Sequence, residues 1–283
     1  MTRNNEERLG STIPTAAAPP PIMETEVDQP NDQPFSFVTP TEFVELPSKG
    51  KFYAEGHPLH NAETIEIRYM TAKDEDTLTS PSLLRKGLAL DRLLQNVIVN
   101  KKIKADNLLV GDKNAVLVAA RISGYGAQYE TRVPCQSCGN TTSYEFNLSD
   151  LDINDGRHLE ADETGTFYCV LPKLKVRVGL KLLLGSDEKR LTKLAAARKK
   201  KNLPEAALTD QFRAIIVSVN DNTDPKNIDS LIDNMPALDS RHLRSFYGDV
   251  IPNVDLKQEF ECAACDVAEE VVIPFTTEFF WPK

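Results

Sequence analysis

The sequence predicts an α+β protein of mixed helices and short antiparallel strands, with a zinc-ribbon-like joint formed by two hairpins that are distant along the chain. Three observations lead there. Cys135/Cys138 and Cys262/Cys265 form two Cys-x-x-Cys pairs that take up four of the five cysteines. Each pair is flanked by short runs with strand alternation, and apolar residues recur at helical spacing elsewhere.

The first 34 residues carry Pro14, Pro19, Pro20, Pro21, Pro30 and Pro34 among small and polar side chains. With little to bury, this arm (1–34) cannot offset its ordering entropy alone. It is expected as a disordered Pro-rich leader, or as a strap that orders on a neighbouring subunit. Order is expected from Phe35. The stretch from Phe43 to Tyr53 reads as an edge strand followed by tight turns at Gly50 and Gly56, with Phe52, Tyr53 and Leu59 as apolar anchors. Thr64 to Met70 alternates Ile65, Ile67 and Tyr69 with Glu66 and Arg68, the pattern of a half-buried strand.

Ala72 to Leu78 reads as a short helix, its Asp74, Glu75 and Asp76 capping it and facing water. Ser82 to Val99 is expected as one longer helix, because Leu83, Leu84, Leu88, Leu90, Leu93, Leu94 and Val97 recur at helical spacing. Ser80 is its natural N-cap, with Pro81 at the first helical position. Asp112 to Ile122 supplies another apolar helix, ending at Gly124 and Gly126. Strands Gln128 to Val133 and Thr141 to Phe146 then frame the first cysteine pair and close an α+β unit, 35–147. The next segment, 148–253, opens with strands Gly165 to Leu171 and Leu174 to Leu180, bent at Pro172. Helices are expected over Asp187 to Lys201, Pro204 to Val219 and Pro236 to Tyr247. The cluster Arg198 to Lys201 falls at a helix C-terminus, where positive charge is favourable, and reads as a solvated helix end. Strands Asp255 to Glu261 and Val267 to Ile273 frame the second pair, and 254–283 finishes in an aromatic run, Phe275 to Trp281.

Three chemistries fit the paired cysteines. Structural zinc is favoured for Cys135, Cys138, Cys262 and Cys265, because a two-residue insert lets both sulfurs of a knuckle point at one metal about 2.3 Å away. Four thiolates leave no open position, so such a site would contribute folding energy rather than catalysis. A redox dithiol wants its cysteines at a helix N-terminus after a strand, and here turns between strands are expected. Disulfides would suit an extracellular chain, and the N-terminus lacks the charged-then-apolar layout of a secretory leader. Cys169 lies in the apolar run Phe167 to Leu171 and reads as a small buried hydrophobe.

Composition narrows the function. The 283 residues are 41% hydrophobic and 27% charged, with a formal charge of −9. That content can bury a substantial core, and its acidic balance argues against general nucleic-acid binding. No apolar run approaches a membrane span. His57, His60, His158 and His242 form no local metal motif, and His57 and His60 sit around Pro58 where a turn role is expected. No nucleophile elbow, phosphate-binding loop or dinucleotide fingerprint is present, so no catalytic residues and no enzymatic activity are expected.

Glu45-Leu-Pro-Ser-Lys-Gly-Lys-Phe-Tyr53, Gly56-His-Pro-Leu59 and Ile65 to Asp76 resemble the baseplate hub proteins of T4-type tailed bacteriophages, a group that includes a hub assembly factor. The likeness continues through Leu84-Arg-Lys-Gly87, Asp91-Arg-Leu-Leu94, Leu109-Val-Gly-Asp-Lys113, Ala119 to Gly126 and the first cysteine pair. The resemblance implies a virion component of a contractile tail's baseplate, in the hub or wedge region, or an assembly chaperone for it. It further implies assembly in the bacterial host cytoplasm, other baseplate and tail proteins as partners, and multiple copies in a symmetric assembly. The loop from Pro47 to Leu59, the N-terminal arm and Phe279 to Pro282 are the candidate contact elements, with packing of their aromatics in the molecule's own core an equal alternative. A zinc-ribbon nucleic-acid-binding or transcription accessory protein is the alternative from another class.

Overall fold

Nearly every residue from Gly111 to Arg121 is buried, which makes helix α4 (Val110–Tyr125) the element around which the described residues from Thr39 onward pack. Val116, Leu117, Val118 and Ala120 supply its apolar surface, while Asp112, Lys113 and Arg121 are buried on it with polar partners. The computed structural model describes residues 38–156, 161–273 and 277–280. The expected arm, His158, Phe275 and Trp281 lie outside them.

Strands β1 (Thr41–Glu45) and β2 (Thr64–Arg68) form an antiparallel pair in which Val44 faces Ile65. The loop between them is pinned to α4 by a buried polar knot. Asp112 accepts hydrogen bonds from the Ser48 hydroxyl at 2.6 Å, the Ser48 backbone N–H at 3.0 Å and the Tyr53 hydroxyl at 2.7 Å. The Tyr53 oxygen in turn accepts from the Leu109 N–H at 3.0 Å. Burial pushes the Asp112 carboxyl above its ordinary range, although its three donors pull the other way. His57 plays the turn role expected of it, its Nδ1 accepting from the Leu59 N–H at 3.2 Å.

Helix α1 (Ala72–Thr79) starts from a capping arrangement in which Asp74 accepts from both the N–H and the hydroxyl of Thr71. Asp74 does not face water as expected; it is fully buried in a bidentate pair with Arg68 at 2.7 and 3.0 Å. The long helix expected over 82–99 is two helices, α2 (Pro81–Lys86) and α3 (Ala89–Val97). Gly87, at φ 65°, ends α2 in a left-handed cap that its leucine spacing does not reveal.

After α4, β3 (Gln128–Pro134) and β4 (Thr141–Asn147) make a hairpin, and the two-residue β5 (Ile153–Asn154) pairs with β9 (Asn253–Val254). Strands β6 (Phe167–Val170), β7 (Arg177–Leu180) and β8 (Ile216–Val219) form an antiparallel sheet in that order. β8 replaces the last turn of the helix expected over 204–219. Ile215-Ile-Val-Ser-Val219 is rich in β-branched residues, and the helix, α6 (Ala207–Ile215), stops where they begin. Helix α5 (Gly185–Lys200) precedes α6. Helix α7 (Pro225–Asp233), unforeseen in the sequence, is capped by Asp224 with Pro225 in its first turn, and α8 (Ala237–Val250) follows. A second hairpin, β10 (Lys257–Glu261) and β11 (Ala268–Val272), ends the regular structure before a 3₁₀ turn at Thr277–Phe280. Among the described residues the architecture is thus mixed helices and short antiparallel strands. No helix of theirs is long and apolar enough to cross a membrane.

Candidate metal centre

The two hairpins carry the same turn. In the first, Pro134 and Thr141 are the last paired residues, and Cys135 to Asn140 turn the chain. The Cys135 N–H donates to the Asn140 carbonyl at 2.9 Å, and the Gly139 N–H donates to the Cys135 carbonyl at 2.9 Å. In the second, Glu261 and Ala268 close the ladder around Cys262 to Val267. There the Cys262 N–H donates to Val267 at 3.0 Å and the Asp266 N–H to Cys262 at 2.8 Å. The residue after the second cysteine is left-handed in both, Gly139 at φ 73° and Asp266 at φ 55°. This repeated geometry aims both thiols of each turn to the same side.

The hairpins meet sulfur to sulfur. Cys135 Sγ lies 3.8 Å from Cys265 Sγ, and Cys138 Sγ lies 3.8 Å from Cys262 Sγ. All four sulfurs fall within 4.8 Å of one another. A tetrahedron of thiolates about 2.3 Å from a common ion has edges of about 3.8 Å. A disulfide needs sulfurs about 2.05 Å apart, and all five cysteines are free thiols. Among the described residues, this is the one group of His, Cys, Asp and Glu side chains with metal-holding spacing. Cys169 stands apart on β6, buried, its thiol pushed up to about 11 by burial and then by Asp239.

Cys135 and Cys262 are buried, Cys265 is half-buried and Cys138 is exposed, so the cluster sits at the rim of the joint. The thiols are not equivalent. The Asn140 N–H, with smaller help from the three other sulfurs, pulls Cys138 down to about 7. At Cys265 the Val267 N–H lowers the thiol, but desolvation and the hydrogen bonds with its three neighbours outweigh it and push the group up to about 12. A soft metal binds the thiolate, the form that the Asn140 N–H favours at Cys138.

Packing beneath the sulfurs makes the joint firm without relying on them alone. Tyr144 on β4 meets Phe260 on β10 edge to face at 5.1 Å, and Phe146 lies 4.8 Å from Tyr144. Phe146 and Phe260 are buried, each contributing about 1.5–3 kcal/mol by area. Two polar ties cross the same boundary. The Gln136 N–H donates to Glu269 at 2.9 Å, and Gln258 donates to the Asn147 carbonyl at 2.6 Å. Sequence reasoning names the four cysteines but misses Glu269 and Gln258, exposed-looking polar residues whose partners come from the other hairpin.

The contact elements expected from the sequence divide. Phe279 and Phe280 are fully buried in the chain's own core, so these two rings are not an exposed docking surface. Within the loop, Ser48, Tyr53 and Leu59 face inward, whereas Lys51, Ala54 to Gly56 and Pro58 remain exposed.

No curated protein and no solved structure matches the chain. A family model described as T4 bacteriophage base plate protein matches residues 39–281. That match takes in both hairpins and everything between them, and with it the chain belongs to the T4 bacteriophage base plate protein family.

Proposed function

We propose that this protein is a structural or assembly component of a contractile phage tail's baseplate, in its hub or wedge region. It works through protein–protein contacts and is stabilised by one structural zinc ion held by Cys135, Cys138, Cys262 and Cys265. Membership of the base plate protein family supports the role, and the observation that carries the joint is the closure of two like turns onto one group of four sulfurs, with Cys135 and Cys265 130 residues apart. On this reading the hairpins form a zinc ribbon, 254–283 closes onto 35–147, and 148–253 is the insert between them. A Cys₄ site offers no open coordination position, so the ion supplies folding free energy and rigidity rather than a reactive centre. In a baseplate such a joint holds neighbouring contact surfaces at a set orientation. A nucleic-acid accessory role is disfavoured by the −9 formal charge.

Metal analysis of the purified protein, with mass spectrometry of tail particles and their assembly intermediates, tests both parts. One zinc per chain is expected, with thiols that resist alkylation until a chelator is added. Soft thiolates also accept iron, and the same analysis distinguishes the two. Thiols that alkylate freely in a metal-free folded chain sink the joint. Absence of the protein from both mature tails and intermediates sinks the baseplate assignment.

A further inference from the structure

Helix α5 has two halves of different character. Its first turns are tied into the body: Lys113 pairs with Glu188 at 2.6 Å and with Asp91 at 3.0 Å, and Lys189 pairs with Asp91 at 3.1 Å. From Thr192 onward it leaves that packing. Every residue from Thr192 to Lys201 is exposed except the half-buried Arg198, and Leu194 is 44% exposed. No carboxylate occurs between Lys189 and Lys201, whereas the chain as a whole is acidic. Lys193, Lys199, Lys200 and Lys201 make no ion pair among the described residues. A solvated helix end is ordinarily supported by opposite charges one turn apart, and like charges at that spacing destabilise it. Apart from Arg198, which pairs with Asp210, the basic side chains of this end are balanced only by the partial negative charge of the helix C-terminus.

An apolar groove lies beside these lysines. It runs between α5 and α6, encloses about 950 Å³ and is lined by the apolar Leu191, Ala195, Leu203 and Ala206 together with the charged Glu205 and Asp210, the latter taken up by Arg198. Arg198 and Asp210 hold it open with a bidentate pair at 3.0 and 3.0 Å. Leu203, at the groove's end, is 50% exposed.

We propose that the outer half of α5 and its groove with α6 dock an acidic amphipathic helix of a neighbouring baseplate subunit. The partner's apolar stripe fills the Leu191–Leu203 groove and its carboxylates meet Lys193, Lys199, Lys200 and Lys201, supplying their counter-charge. Nucleic acid would satisfy the lysines but leave the apolar groove uncovered, and no aromatic residue stands in α5 for bases to stack on. This inference rests on the baseplate reading, because it looks for the partner within that assembly.

Zero-length carbodiimide cross-linking of assembly intermediates, read by mass spectrometry, tests it, since that reagent joins an amine only to a carboxylate in contact. The expected result is α5 lysines joined to Asp or Glu of a different protein. The links should be lost, with reduced incorporation into intermediates, in full-length chains carrying Leu203→Glu or K199E/K200E/K201E. Both variants alter exposed positions, and an unchanged melting temperature of the free chain verifies that they fold. The protein present in intermediates with its α5 lysines unlinked, or linked only to a second copy of itself, overturns the inference and leaves the baseplate reading standing. Protection of the same lysines by nuclease-sensitive material also overturns it. Absence of the protein from every intermediate overturns the baseplate reading and this inference together.

Discussion

The guanidinium of Arg121, at the end of α4, donates to the backbone carbonyl of Phe279, 158 residues away, at 2.8 Å. The same buried side chain donates to Gly126 at 2.7 Å and Gln128 at 3.0 Å, and lies over the rings of Tyr125, Tyr129 and Phe279 at 5.4 to 6.0 Å. One planar fork thus gathers the end of the central helix, the start of the first hairpin and the C-terminal turn. Arg121→Ala strands three carbonyls and is expected to cost about 3 kcal/mol or more, measured by urea denaturation. Arg121→Lys should recover only part of this, because an ammonium lacks the fork. Faster proteolysis at the C-terminal turn should accompany both.

Loss of either buried sulfur removes the proposed ion and the folding free energy linked to it. Cys135→Ser and Cys262→Ser are each expected to abolish metal retention and to destabilise the chain by several kcal/mol, on the order of a structural zinc site. Thermal melts with and without a chelator check this: the chelator should lower the melting temperature of the parent protein and leave the variants unmoved. Cys169→Ser, away from the cluster, should keep its metal.

The repeated turns make a backbone prediction that is independent of the thiols. Gly139 sits at φ 73°, where a β-branched side chain is strained, so Gly139→Val should cost about 1–2 kcal/mol and weaken metal retention. Asp266, at φ 55°, occupies the matching position. Asp266→Gly should be tolerated within about 0.5 kcal/mol, since relief of the left-handed strain offsets the greater unfolded-state freedom of glycine. Paired denaturation curves of the two variants test the asymmetry.

Two buried carboxylates push the pH dependence of stability in opposite directions. At Asp74 burial raises the pKa, but Arg68 and the Thr71 donors outweigh it and hold the group below its ordinary value of 3.8. Its stabilisation is therefore present above that ordinary value and lost as pH falls through the depressed one. Asp74→Asn is expected to cost about 2 kcal/mol at neutral pH, with the difference from the parent protein shrinking in acid. Asp112 is shifted upward by burial, so its contribution is fully present below 3.8 and is lost as pH rises through its raised value. Ser48→Ala removes one of its donors and should shift Asp112 further up, moving that loss to higher pH. Denaturation curves across acid and neutral pH give the sign of both effects.

Both hairpins were legible because their evidence is local. Alternation with a period of two marks which side of a strand is buried, and Cys-x-x-Cys marks a turn that can aim two sulfurs together. Helix α4 is readable from apolar recurrence, and α1 and α5 from the acidic first turn of one and the basic last turn of the other, within a few residues at their ends. Leucine spacing predicts one helix over 82–99 because it runs on across Gly87, while the left-handed cap there depends on backbone conformation alone. The run Ile215 to Val219, apolar and β-branched at four of its five positions, fits either a helix end or a central strand, and only pairing with β7 decides between them.

What no local pattern contains is the identity of a distant partner. Ser48 looks like a turn residue, Tyr53 like an apolar anchor and Asp112 like an acidic residue in a helix's first turn, until 64 and 59 residues of separation are closed in one buried knot. Asp74 looks solvent-facing until Arg68 is placed against it. The aromatic terminus reads equally as an interface or a core until Phe279 meets Arg121. Spacing records the face a residue turns inward, because that follows from the geometry of one helix or strand. Whether a polar group can be buried depends on donors and acceptors brought by other elements, and that is settled only when the chain closes on itself. The four cysteines stand between these cases: their pairing within each turn is written in the sequence, and the meeting of the two turns at 3.8 Å belongs to the tertiary structure.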